Sequence, residues 1–170
     1  MQKILSNRKT YLSFALVTLV AVAIAGCGLS GGGLAPSTTL NKNSNNLVLD
    51  GYDAVAYFRE NLPREGKPEF TADYSGGKWQ FVSAENRDMF QKDPEKYVPQ
   101  YGGYCAWAVG QGYTADTDPQ TGQVVDGKLY LNYNPEVATK WNQDNGKFIA
   151  DGDKNWLTLS GKAEESRKDK

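Results

Sequence analysis

The chain contains no histidine. That absence removes the Ser-His and Cys-His pairs of nucleophilic catalysis and every imidazole metal ligand. Zinc sites of the usual Cys/His kinds go with them. Cysteine is almost as scarce, with only Cys27 and Cys105. Glycine is plentiful but never in the order of a phosphate loop, because Gly102-Gly103 and Gly110-Gln111-Gly112 lack both the spacing and the lysine. Lys and Glu are interspersed, so no basic patch invites nucleic acid. Asp116 and Asp118 share a loop without the acidic spacing of an EF-hand, and they read as solvated. There is no internal repeat and no heptad run. These absences point to a protein that binds rather than one that catalyses.

A bilayer-spanning run is also missing. The apolar stretch from Tyr11 to Ile24 holds 14 residues, whereas a span takes roughly 20. Lys3, Arg8 and Lys9 precede it, and small residues follow it. That order predicts a cleaved secretory signal over residues 1–26. The closing Ile24-Ala25-Gly26-Cys27 resembles the lipobox of bacterial lipoproteins. The resemblance implies that the Cys27 thiol takes diacylglycerol, with palmitate-type acyl chains, and becomes the mature N-terminus. Each buried methylene adds roughly 0.8 kcal/mol, so two or three chains hold a protein stably on a membrane. Residues 27–46 are Gly-rich and then polar, as a flexible linker should be. The expected location is the cell envelope; Gly28 in place of Asp points to the outer membrane, facing the periplasm, if the source is Gram-negative.

After Cys27 the chain has 16 basic and 20 acidic side chains, a net charge of −4 that favours solubility. Residues 47–159 suffice for one domain, and 160–170 read as a charged disordered tail. Nine Tyr, four Trp and five Phe follow Cys27, enough to build a core without disulfides.

The local patterns predict an α+β domain of short antiparallel hairpins packed against short helices. Asp53 is placed to cap a helix through Phe58. Phe70–Tyr74 and Lys78–Val82 flank Ser75-Gly76-Gly77 as a hairpin. Ser83 is placed to cap a helix over Ala84–Lys92, with Met89 and Phe90 turned toward the core, and Asp93-Pro94 starts another turn. Cys105–Val109 is either one helical turn or a strand, and Gly110–Gly122 reads as a polar loop. Val124-Val125 and Leu129–Leu131 flank Asp126-Gly127 as a type I′ hairpin. Asn134-Pro135 opens a helix carrying Val137 and Trp141, and a last helix runs from Asn145 toward Trp156.

With Cys27 lipidated, Cys105 is the remaining thiol, and no disulfide can form within the mature chain. Its neighbours Tyr104, Ala106, Trp107 and Ala108 are apolar or aromatic. One reading is a small buried hydrophobe with a raised pKa. The other is a thiolate ligand for a soft, copper-type metal, or a redox thiol. Met89 is either a thioether partner to it or core. Apart from Cys105, the expected ligand-binding residues are Tyr52, Asp53, Tyr57, Tyr101, Tyr104 and Trp107. The partner would be an envelope protein or a small molecule.

Four segments in register carry a wider resemblance. GYDAVAYF at 51–58, YSGGKWQFVSAENRDMFQKDPEKY at 74–97, YGGYCAWAV at 101–109 and DGKLYLNYN at 126–134 resemble the YHS-domain family, in its branch of exported bacterial proteins. The family is distantly related to TRASH-type domains, in which three cysteines are thought to bind copper or another heavy metal. Laid against this chain, the resemblance puts the first of them near Ala56 and the other two at Val82 and Asn86. The resemblance therefore implies the fold, while the three-cysteine metal site has no thiols here. Any metal site would have to be built differently, around Cys105.

Overall fold

The computed structural model describes residues 39–168, and side-chain burial as far as Gly161. The expected signal, Cys27 and the Gly-rich stretch lie outside the described residues. Helix α1 (Ala54–Glu60) starts where Asp53 caps it, its carboxylate accepting from the N–H groups of Val55 and Ala56. Strands β1 (Lys67–Tyr74) and β2 (Gly77–Phe81) pair antiparallel. Ser75 and Gly76 join them with φ of 50° and 73°, the left-handed pair of a type I′ turn. Ser83 caps α2 (Ala84–Lys92) through the Asn86 N–H, and Pro94 opens the single turn α3 (Pro94–Tyr97).

A 3₁₀ turn over Gln100–Gly103 leads into α4 (Ala106–Gly110). Strands β3 (Asp118–Val125) and β4 (Lys128–Asn132) form the second hairpin. Its Asp126-Gly127 turn again has both φ values positive, at 49° and 73°. Asn134 caps α5 (Pro135–Asn142), and α6 (Asn145–Lys168) closes the described chain. Among the described residues the architecture is α+β: two two-stranded antiparallel sheets and six α-helices. None of these helices is long and apolar enough to cross a membrane.

Three departures from the sequence reading bear on the core and the site. The polar loop after Gly110 ends early, because β3 begins at Asp118. Its first half is irregular: the Thr121 hydroxyl, instead of a backbone carbonyl, accepts the Asn132 N–H at 2.8 Å, so a strand forms without an alternating apolar pattern. The segment expected to be linker as far as Asn46 supplies buried Thr39 and Leu40. It is tied in by the Asn41 N–H to the Gly102 carbonyl, 2.8 Å. Gly102, at φ +60°, permits this crossing, since a Cβ there would collide with the Thr39 carbonyl. Finally, the helix that the sequence places as far as Trp156 continues through the charged segment to Lys168.

Two cores flank β4. Leu129 and Leu131 enter a cluster with Val55, Tyr57, Trp79, Phe81 and Phe90. Tyr130 enters another with Tyr101, Tyr104, Val109 and Trp141. Successive strand residues point to opposite faces, so one short strand partitions the interior. All three are at most 2% exposed, and both faces of the strand are therefore covered.

Candidate functional site

The residues nominated by the sequence divide along the same line. Tyr52 and Tyr57 lie with the Trp79 cluster, where Asp53 caps α1. Tyr101, Tyr104 and Trp107 lie with the Trp141 cluster. They do not form one aromatic site.

Asp53 is fully buried, and its carboxylate is fully used. Oδ1 accepts from the N–H groups of Val55 at 2.8 Å and Ala56 at 3.1 Å. Oδ2 accepts from the Val82 N–H at 2.9 Å and from Asn86 Nδ2 at 2.7 Å. Four donors match the roughly four lone-pair sites of a carboxylate. Asn86 Oδ1 in turn accepts from Arg59 Nη1 at 2.8 Å, and Arg59 pairs with Glu85 at 3.0 Å. A buried charge is tolerated when such donors replace its water. This knot joins α1, the end of β2 and α2, and it leaves Asp53 nothing to offer a ligand. Ala56, Val82 and Asn86 come from α1, the end of β2 and α2, and all three donate to this one carboxylate.

Tyr57 is equally committed. Its hydroxyl donates to the Pro119 carbonyl at 2.8 Å, and burial raises its pKa far above the ordinary 10.0. Gly122 makes room for the ring, because any Cβ there would lie inside it. Tyr52 is half-buried and accepts from Gln120 Nε2 at 2.9 Å.

Cys105 precedes α4, bridges to Leu131 of β4 and is 1% exposed. Its thiol lies 3.8 Å from Asn132 Oδ1, which also accepts the Trp107 N–H at 3.2 Å. Burial pushes the thiol pKa up, away from the thiolate that a metal or redox role requires. Among the described residues no three Cys, Asp or Glu side chains are grouped to hold a metal ion. Of the two readings of Cys105, the small buried hydrophobe is the one that its burial and its contact with Asn132 fit. Met89 packs on the other core.

The Tyr101 side is different because it opens to solvent. A cleft of about 550 Å³ lies over Tyr101, between α3, the β1–β2 turn, the start of β4 and α6. Tyr74, Tyr101 and Trp156 give it aromatic walls, with Leu40 and Leu157 beside them. Tyr101 holds a left-handed backbone, φ 55°, which is rare for a bulky side chain. Its ring is buried, and its hydroxyl donates to Asp153 Oδ1 at 3.0 Å. Burial first, and then the Asp153 charge, raise its pKa far above 10.0. Trp156 stacks at a tilt between Tyr101 and Tyr104, with ring centres 5.9 and 6.0 Å away. Trp107 is half-buried on a separate edge, against Tyr113 and Phe148.

Three charged side chains line the cleft: Glu95, Lys128 and Asp153. All three are exposed, and none takes part in a salt bridge among the described residues. Leu157, on the rim, is 65% exposed, the most exposed large apolar side chain described. Of these lining residues the sequence reading nominated only Tyr101. Asp153 and Leu157, four apart on one helix face, are the local signal that was there to find. Compared with protein-family models, curated proteins and solved structures, the chain gives no match.

Proposed function

We propose that the protein is a lipid-anchored, non-enzymatic binding module of the bacterial cell envelope, with a YHS-like fold and its ligand surface in the Tyr101 cleft. The observation that carries this reading is the contrast in polar bookkeeping. Asp53, Tyr57 and Cys105 are committed to internal contacts, whereas Glu95, Lys128 and Asp153 line an open aromatic cleft and have no ionic partner among the described residues. Ligand sites commonly combine apolar walls with a few convergent polar groups. The meeting of Ala56, Val82 and Asn86 on one carboxylate supports the family resemblance, since three ligands of one metal must also converge. It supports equally a fold that is kept while the metal site is replaced by hydrogen bonds.

The anchor rests on the Ile24-Ala25-Gly26-Cys27 motif. Expressed in a bacterial host, the chain should carry a diacylglyceryl mass on Cys27, and Cys27→Ser should move it out of the membrane fraction. Native mass spectrometry of the gently released lipoprotein then tests the cleft. A bound species lost in Leu157→Glu supports the reading. Absence of any bound species, or one that survives Leu157→Glu, contradicts it.

A further inference from the structure

The cleft lies where the chain arrives from its expected anchor. Thr39, the first described residue, donates from Oγ1 to the Ser160 carbonyl at 2.9 Å, and Ser160 lines the cleft. Leu40, the next residue, lines it too. Between Cys27 and Thr39 lie eleven residues, and a chain of that length reaches at most roughly 40 Å. A lipid on Cys27 would therefore keep Thr39 within roughly 40 Å of the bilayer surface.

The cleft's composition suits that surface. Trp156, Tyr74 and Tyr101 are of the residue types that settle at the headgroup level of membranes. Leu157 projects from the rim. Both signs of charge are available: two carboxylates, Glu95 and Asp153, and one ammonium, Lys128. A polyanionic surface would meet the carboxylates unfavourably, and a purely cationic ligand would meet Lys128. A group with one positive and one negative charge satisfies both.

We propose that this cleft faces the bilayer to which the chain is tethered and takes a zwitterionic phospholipid headgroup, its ammonium on Glu95 and Asp153 and its phosphate on Lys128. The proposal rests on the anchored binding-module reading and names the ligand class of that same site. The aromatic walls add a face on which the ammonium can rest, and Leu157 enters the interface beside it. The tether keeps the headgroup at high local concentration, so a weak individual site is enough.

The test uses the full lipidated chain in vesicles, with an environment-sensitive fluorophore attached through Leu157→Cys. Buried Cys105 is shielded from the label, and Leu62→Cys, exposed but away from the cleft, is the comparison position. Vesicles of phosphatidylethanolamine with phosphatidylglycerol are compared with phosphatidylglycerol alone, each with a headgroup-attached quencher. The expected result is stronger quenching at 157 than at 62. That difference should fall at least about twofold without phosphatidylethanolamine, and likewise in Glu95→Gln/Asp153→Asn, which keeps an acceptor for the Tyr101 hydroxyl. Equal quenching at the two positions would overturn the membrane-facing cleft and leave it open to a polypeptide. Quenching at 157 that ignores both lipid composition and the double variant would overturn headgroup recognition. Flotation separates these results from failure of the anchored reading itself, in which the chain would not float with the vesicles.

Discussion

The Asp53 side and the Tyr101 side of this domain spend their polar groups in opposite ways. On the Asp53 side a buried carboxylate takes four donors at 2.7–3.1 Å, and an Arg59–Glu85 pair backs its Asn86 partner. On the Tyr101 side one hydroxyl reaches Asp153 at 3.0 Å, while Glu95 and Lys128 line the cleft with no ion pair among the described residues. The first arrangement is closed and supplies rigidity. The second is open and supplies a surface. Burial alone does not distinguish a site from a scaffold; what distinguishes them is whether the polar valences are already filled.

The largest effect should come from opening the closed side. Asp53→Ala leaves two buried N–H groups, the part-buried Val82 N–H and the Asn86 amide without their acceptor, and should cost about 3–5 kcal/mol, comparable to removing one partner of a buried ionic network. Denaturant unfolding measures it, and a cost below about 1 kcal/mol would deny the knot its structural role. Next comes Gly122→Ala, which drives a methyl into the Tyr57 ring and should destabilise by about 1–3 kcal/mol through overpacking.

Alkaline pH should act on both sides. Tyr57 and Tyr101 are raised far above 10.0, and Tyr130 is pushed up to about 12 by burial and then by Asp153 and Asp126. In the unfolded chain these phenols lose their protons near pH 10, while the folded chain still holds them. Stability is therefore full below about pH 10 and declines as pH rises from there toward 12 and beyond. Circular dichroism followed against tyrosinate absorbance should show unfolding and ionisation together. Early, non-cooperative ionisation of all the tyrosines would contradict the burial.

The smallest stability effects belong to the cleft. Glu95→Gln and Leu157→Glu change exposed side chains and should stay within about 0.5 kcal/mol of the parent, as thermal melts can verify. If they destabilise as much as Gly122→Ala, the cleft is scaffold and the contrast between the two sides collapses.

Much of the fold was legible because its signals are local. Asp53, Ser83 and Asn134 cap helices as their side chains suggest, and Asp126-Gly127 makes the turn that its two residues favour. Thr39 and Leu40 were not legible as core, because isolated residues carry no periodicity and their burial depends on distant Ser160 and Gly102. Strand β3 was hidden by its irregular start, where a Thr121 hydroxyl substitutes for a ladder partner. The site was harder still. Asp53 is chemically suited to bind a ligand, and only the long-range approach of Val82 and Asn86 reveals that its valences are taken. Glu95, Lys128 and the Trp156-Leu157 pair come from three separate stretches of the chain, and no local pattern assembles them.

Carboxyl footprinting read by mass spectrometry tests the division between the two sides most directly, with the full chain, on the proposed reading lipid-anchored, labelled first in host membranes and then after purification in detergent. The account predicts that Glu95 and Asp153 are protected in the membrane and become reactive on purification, while Glu85, whose side chain is 67% exposed, reacts alike in both. Equal reactivity of Glu95 and Asp153 in the two states would mean that nothing occupies the cleft in the envelope, and would contradict it.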